Sequence, residues 1–374
     1  MPYSVETVTT EEGLSRLEDA WNRLNQSAMQ PNVFMSYDWY RAWNRRLSER
    51  HGGDRRPHVL VLKNGGEIAG LLPLVYHTAS RYGLTARKLE FAETFGDYHE
   101  LVLGNDLEGM TRAIAEYLMD TRDEWDVVEL RDLREAGNTP AAINRALSGT
   151  GLVYRLLPEP VRCPYMPIVG SADSMVTSET RRAEGCRTFR KERQRLKRLT
   201  EEGLRVRIIE DPQREPGLVE KLIALEGQKH VGGELSAPFI AEHPHIFQRL
   251  FDTLGPRGWF AIGYMEQGDR PVGVRLVFRC GTKLWEFLTA YDHSFARWSP
   301  GIMLVLALLD YGFDHGCDEF DFLRGEESYK KEWSSDVHQS RRLLIWNPRW
   351  ASRARAWVYF DVKPLVYSLF GKAE

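Results

Sequence analysis

A strand-like run from Leu284 to Tyr291, a polar loop ending in Ser299-Pro300-Gly301, a long apolar helix and a second strand from Glu319 to Leu323 follow one another without a break. Strand, helix and strand in this order lay the helix across a sheet and aim its N-terminus at a strand end. The first turn of such a helix carries backbone N–H groups with no partner inside the helix, and the peptide dipoles add partial positive charge there. Ser299 suits the N-cap, Pro300 the first helical position, and Gly301 lets a ligand approach the backbone. The helix, read from Gly301 to His315, begins Ile302-Met303-Leu304-Val305-Leu306, so burial on several sides is expected. The loop is therefore a natural anion site. A well-capped core helix would carry the same residues.

A chain of 374 residues exceeds what one core usually serves, so two domains are expected. The formal charge of −3 gives no global attraction to nucleic acid or anionic membranes, which leaves polyanion binding to local patches. Cys163, Cys186, Cys280 and Cys317 show neither metal-ligand spacing nor disulfide density, which points to a reducing cytoplasm and to no metal. The start lacks the basic and apolar regions of a signal peptide, and no apolar run reaches the ~18 residues of a membrane span.

Two helices are expected in the first ~50 residues on helical spacing, one with Leu14, Leu17 and Trp21, the other with Trp39, Trp43 and Leu47. Asn64-Gly65-Gly66 separates two strand-like runs and has hairpin chemistry. Further strands are expected at Lys88 to Ala92, Glu100 to Leu103 and Trp125 to Leu130, with a helix from Leu107 to Thr121. Pro158, Pro160, Pro164 and Pro167 make Leu156 to Ser174 read as a linker. A basic helix, Glu179 to Glu202, follows, with Arg190, Arg193, Arg195 and Arg198 among its cations and Phe189, Leu196 and Leu199 as a narrow apolar stripe. The second half then alternates helices with a three-strand run around a Gly281-Thr282 turn, which gives an α/β fold with a mixed sheet.

On the strand before the loop, alternation puts Leu284, Glu286, Leu288 and Ala290 on one face. If Gly281-Thr282 is a two-residue hairpin, Cys280 pairs with Lys283 and Arg275 falls diagonal to Glu286 on that face. An ion pair between the two is one reading. Asp321 and Arg324 read either as a salt bridge at a strand end or as substrate contacts. Asp292 reads as a turn cap, and Asp97, before Tyr98, as part of a turn. The tail, Trp346 to Leu369, mixes arginines with Trp350, Trp357, Tyr359 and Phe360, a composition suited either to packing on the protein or to a membrane interface.

Tyr291-Asp292, the Ser299-Pro300-Gly301 opening and Asp321-Phe322-Leu323-Arg324-Gly325 with Tyr329-Lys330 behind it, in that order, together with Asp97-Tyr98 after an early strand, resemble one known group. It is the CelD/BcsL-like acyltransferases of the GNAT superfamily of N-acetyltransferases, close to the FemABX aminoacyl transferases. The resemblance is dense from about Arg182 to Trp346. It implies tandem GNAT-like α/β domains, each a mixed, mostly antiparallel sheet flanked by helices: residues 1–165, residues 166–346 as the acyltransferase domain, then a basic, aromatic tail over 347–374.

The same resemblance implies roles. Arg297, Ser299, Gly301 and Ile302 would hold the pyrophosphate of acyl-CoA, although Arg297-Trp298-Ser299-Pro300-Gly301 keeps only an arginine and one glycine of the usual loop. Glu286 would accept the proton of an attacking amine, as a positioned carboxylate does, and Tyr329 would protonate the leaving thiolate, with Asp321 beside them. Asp97, Tyr98, Arg275, Asp292, Arg324 and Lys330 would contact substrate, the first pair from a cleft between the domains. The donor would be acyl-CoA or an acyl carrier protein thioester, and the acceptor a primary amine on a lipid, sugar or amino-acid derivative. FemABX relatives use aminoacyl-tRNA instead, and a non-catalytic binding protein would share the fold. The basic helix comes without an RNA-reading motif, which argues against nucleic acid. A cytoplasmic protein is expected, peripheral to the inner membrane if the tail binds lipid.

Overall fold

A computed structural model describes residues 3–51, 54–81, 84–92, 95–101, 103–134, 139–170, 190–228, 239–325, 327–333 and 336–357. Two compact units form, one from Met1–Met29, Phe34–Pro160 and Gln339–Glu374, the other from Gln30–Val33 and Val161–His338.

The first unit opens with β1 (Ser4–Val8), then α1 (Glu11–Ser27), α2 (Tyr37–His51), β2 (Arg56–Asn64), β3 (Glu67–Arg81) and β4 (Leu84–Phe91). It continues through α3 (Leu107–Asp120), β5 (Val127–Arg134) and α4 (Thr139–Leu147). Next, β6 (Val153–Pro167) leads into the second unit: α5 (Arg190–Glu201), β7 (Leu204–Ile209), α6 (Leu218–Gln228), α7 (Phe239–Glu242), α8 (Pro244–Leu254), β8 (Ile262–Gln267), β9 (Arg270–Cys280) and β10 (Lys283–Tyr291). Then come α9 (Pro300–Asp314), β11 (Glu319–Asp321) and α10 (Ser328–Trp333), before β12 (Asp336–Trp346) returns the chain to the first unit, where α11 (Trp350–Trp357) follows.

Strand order in the first unit is β1-β2-β3-β4-β5-β12, and in the second β7-β8-β9-β10-β11-β6. Each sheet is antiparallel apart from one pair, β4 with β5 and β10 with β11, and each parallel pair is joined by a crossover helix, α3 or α9. A parallel pair needs such a crossover because its strand ends lie at opposite ends of the sheet. The two halves thus repeat one topology, and each lends its last strand, β6 or β12, to the sheet of the other.

The cores follow the sequence pattern. In the first unit Leu60, Leu74, Ile114, Leu130 and Ile345 pack with Trp21 and Tyr40 from α1 and α2. In the second, α9 buries Met303, Leu304, Val305, Leu306, Leu308 and Leu309, each adding roughly 1.5–3 kcal/mol by leaving water. Gly281 takes the turn between β9 and β10 at φ 59°, and Cys280 pairs with Lys283 as expected.

Two expectations are corrected. The proline-rich stretch is no linker: it is β6 through Pro167, so a boundary at residue 165 would cut a strand. Pro158, Pro160 and Pro164 share one parity of that strand, which puts their missing N–H groups along one edge. The described residues of Glu100 to Leu103 form no strand; single bridges pair Leu103 with Leu71 and, just before the stretch, His99 with Leu133. Of the basic helix, Arg190–Glu201 is described and residues 179–189 lie outside the described residues; of the tail, residues 358–374 lie outside them.

Candidate active site

At the N-terminus of α9 the loop that precedes the helix turns through Ser299 in the left-handed region, φ 54°, ψ 57°. Ser299 occupies the cap position yet makes no side-chain capping bond, contrary to its expected role. Its carbonyl instead accepts from the N–H groups of Ile302, at 3.0 Å, and Met303, at 3.2 Å. The first turn is therefore less bare than the sequence suggests, with Gly301 N–H meeting no acceptor among the described residues. Ile302 is half-buried and packs on the core of this unit. Arg297 is exposed, its guanidinium 4.7 Å from the Trp298 ring centre, while its carbonyl accepts from Arg195.

Under this turn lies a cluster of four groups. Arg275, on β9, has a side chain 2% exposed; its Nη2 donates to the Gly301 carbonyl at 3.1 Å. Its Nη1 contacts Oε2 of Glu286, on β10, whose side chain is 4% exposed. Tyr329, on α10, donates its hydroxyl to Oε1 of Glu286 at 3.0 Å, and the Arg275 guanidinium sits 5.7 Å from the Tyr329 ring centre. The Arg275–Glu286 pair is a charge contact rather than an aligned hydrogen bond. Arg275 Nε is buried without a hydrogen-bond partner among the described residues, while Nη1 and Oε2 have only each other. Unfilled polar atoms at such depth are uncommon and point to a place for water or ligand. Burial pushes the Tyr329 phenol well above its ordinary value, and the Glu286 carboxylate adds to this. For Arg275 the cost of burial is outweighed by Glu286 and Tyr329, which hold the cation.

A bulge decides which residues share this face beyond Glu286. Between Glu286 and Leu288 the register with β9 shifts, so two residues of β10 oppose one of β9. Glu286 lies opposite Val277, on the same face as Arg275, and beyond the bulge Thr289 rather than Leu288 takes that face.

Asp321 belongs elsewhere. The parallel register of β10 and β11 sets Trp285 beside Asp321 and Lys283 beside Glu319, and alternation then turns Glu286 to the opposite face. Asp321, 1% exposed, accepts from Leu323 N–H at 2.7 Å. It lines a second polar cluster with Glu319, Lys283 and His338, in which His338 Nε2 is 3.1 Å from Glu319 and 3.9 Å from Asp321. Tyr165 stacks on His338 at 3.8 Å. Ligand atoms of Glu319, Asp321 and His338 lie within 4.8 Å of one another, and Lys283 Nζ, 3.4 Å from Glu319, supplies the counter-charge there. Sequence reading missed this cluster, whose only signal is the Glu319-x-Asp321 alternation.

Other candidates make local contacts. Asp292 caps the turn before the loop, accepting from Ser294 N–H at 2.9 Å and pairing with Arg270. Burial would raise its pKa, but the Ser294 bonds and Arg270 hold it below the ordinary range. Lys330, 4% exposed, donates to the Arg324 carbonyl at 2.7 Å and to Glu327 at 3.0 Å, pinning a loop in which Leu323 sits at φ 50°. Arg324 itself is half-buried. Asp97 and Tyr98 lie in the first unit, both buried, with the Arg134 guanidinium 5.7 Å from the Tyr98 ring centre. In α5, Arg193 pairs with Asp310, and Leu199 is buried.

The duplicated topology offers an internal control. In the first unit the counterpart of α9 is α3, whose cap, Asp106, accepts from Gly109 N–H at 2.9 Å, with Glu108 in the first turn. A carboxylate already fills that helix mouth, so an anion is repelled there; at α9 a cation lies beneath the first turn instead.

Residues 183–331 match the model of the Acetyltransferase (GNAT) domain. No curated protein matches the chain. Among solved structures, the chain is similar in fold to FemX, at 11% identity and a TM-score of 0.59, with 99% of this chain and 100% of that chain covered. A conserved protein of unknown function from Bacteroides thetaiotaomicron is 9% identical, TM-score 0.55, over 91% of this chain and 100% of that one. The C-terminal domain of a putative lysylphosphatidylglycerol synthetase from Agrobacterium fabrum is 11% identical, TM-score 0.54, over 95% of this chain and 97% of that one. Arg275, Glu286, Gly301 and Tyr329 all fall inside the matched stretch, so the cluster beneath α9 lies where the chain is similar to the Acetyltransferase (GNAT) domain.

Proposed function

We propose that the protein transfers an acyl group from a thioester, acyl-CoA or an acyl carrier protein, to a primary amine, with the reaction centred in the second unit. The observation that carries this is the cluster beneath α9, in which Glu286, Tyr329 and the helix mouth are joined through Arg275. The uncapped Ser299 and the unfilled Gly301 N–H suit the diphosphate of the donor.

Both carboxylate oxygens have work in this scheme. Oε2 is held by Arg275 and Oε1 accepts from Tyr329, so the amine proton goes to Oε1 as Tyr329 turns its own toward the sulfur and nitrogen attacks the thioester carbonyl. The C–N bond forms, the C–S bond breaks, and the thiolate takes the Tyr329 proton. Glu286 then passes the amine proton to Tyr329 through their hydrogen bond, restoring both groups. A phenol this weakly acidic releases its proton only because Glu286, newly protonated, replaces it in the same event.

The acceptor class is a lipid, sugar or amino-acid amine within a CelD/BcsL-like role. Aminoacyl-tRNA is the competing donor, and a binding protein without turnover the third reading. Thermal shift with free CoA, acetyl-CoA and a long-chain acyl-CoA, beside charged tRNA, separates them. Stabilisation by CoA together with thiol release in the presence of amines is expected. A response to charged tRNA alone, or binding of CoA thioesters with no release to any amine, would sink the reading.

A further inference from the structure

We infer that Arg275 is a positioning residue that locks the donor loop to the proton acceptor, rather than a ligand of the substrate; this rests on the function proposed above. The guanidinium is a rigid fork whose N–H donors point along fixed directions. Arg275 uses one arm on the Gly301 carbonyl and the other on Glu286, with its face toward Tyr329. Among the described residues it joins loop, base and acid through one side chain.

Space beneath the loop is also set by this residue. A Cβ added at Gly301 would meet Arg275 Nη2 at 3.2 Å, so the first turn of α9 rests directly on the guanidinium. Any shift of the loop is therefore felt at the Arg275 arm that faces Glu286. A buried cation carries a large desolvation cost, and an apolar residue of like volume would pack the same space with less penalty. What the arginine adds is geometry: the loop that grips the diphosphate and the carboxylate that takes the proton are held at one fixed separation. A lysine cannot reproduce this, since a single ammonium on a flexible stem cannot span both contacts in fixed directions.

The test compares CoA binding by calorimetry in the full chain for three proteins: wild type, Glu286→Gln, and Arg275→Met combined with Glu286→Gln. Replacing both partners removes the buried charges together, so the double variant is expected to melt no lower than the single one. Glu286→Gln should bind CoA within about threefold of wild type, and the double variant about tenfold or more weakly, because only the double variant has lost the Gly301 tie. Arg275→Lys, measured beside them, should raise the donor KM while leaving the acceptor KM unchanged, a split that a purely structural role would not give. Equal CoA affinity in the single and double variants overturns the positioning role and leaves the proposed function standing. Should the double variant melt below the single one, Arg275→Lys decides in its place, and a wild-type donor KM there overturns the inference. A wild-type protein that does not bind CoA overturns both readings.

Discussion

Tyr329 and Glu286 are joined by a 3.0 Å hydrogen bond, so the group read as the acid and the group read as the base form one unit. Proton uptake and proton release are then coupled through a single bond. Tyr329→Phe should lower turnover by about 10²-fold while leaving donor binding near wild type, since the phenol is asked for only when the thiolate departs. Single-turnover kinetics with acetyl-CoA checks this. Unchanged turnover in the phenylalanine variant would remove Tyr329 from the reaction.

Glu286→Gln should cut turnover by about 10²-fold or more, as loss of a general base does. Read from the strand alone, the substitution looks harmless to folding. Its burial beside Arg275 says otherwise: the guanidinium loses its counter-charge, and a cost of about 2–3 kcal/mol in unfolding free energy is expected. Urea denaturation measures it, and an unshifted midpoint would mean that the pair contributes nothing net.

Alkaline stability follows from the buried phenols. Burial, with the Glu210 hydrogen bond, pushes Tyr311 up to about 12, and burial likewise raises Tyr40 and Tyr329. In the unfolded chain these protons leave near pH 10, while the folded protein keeps them. Above about pH 10 the unfolded state therefore binds fewer protons, so stability is full below that point and falls as the pH rises toward and beyond 12. Denaturation midpoints should be level up to about pH 9.5 and drop above it, less steeply in Tyr329→Phe. A midpoint unchanged at about pH 11 would contradict the burial of these hydroxyls.

Much of the second unit was legible because its signals are local. The Gly281 turn fixes the pairing of Cys280 with Lys283, and that register alone puts Arg275 and Glu286 on one face. The strand β6 was hidden because proline weighs against strand in any local reading, whereas its pairing partner β11 comes from far along the chain. The face taken by Asp321 was hidden for a related reason. Whether it faces Glu286 depends on the parallel register of β10 with β11, which no turn encodes. The bulge after Glu286 is equally silent in sequence, although it decides which residues share its face.

Donor stoichiometry tests the internal control. With Asp106 filling the mouth of α3 and Arg275 beneath that of α9, titration with CoA should reach one equivalent per chain. Gly301→Glu should abolish binding, since a carboxylate would enter the first turn. Even Gly301→Ala should weaken it, because the added Cβ presses on Arg275 Nη2 at 3.2 Å. Two equivalents in the wild type, or full binding by Gly301→Glu, would place the donor elsewhere.

Asp321 separates the two faces of the sheet. Its carboxylate accepts from Leu323 N–H at 2.7 Å and helps hold that residue at φ 50°, a conformation costly for a side chain without local support. Asp321→Asn keeps the shape but weakens the charge-assisted bond, so a loss of about 1–2 kcal/mol in stability is expected, with turnover within about threefold of wild type. His338→Ala should behave in the same way, since it touches Glu319 and Asp321 but not the cluster under α9. Melting temperatures and kcat measured side by side decide it. A hundredfold loss of turnover in an Asp321→Asn protein that melts normally would put the reaction on the face shared by β11 and Lys283, and Glu286 would then be a structural partner of Arg275.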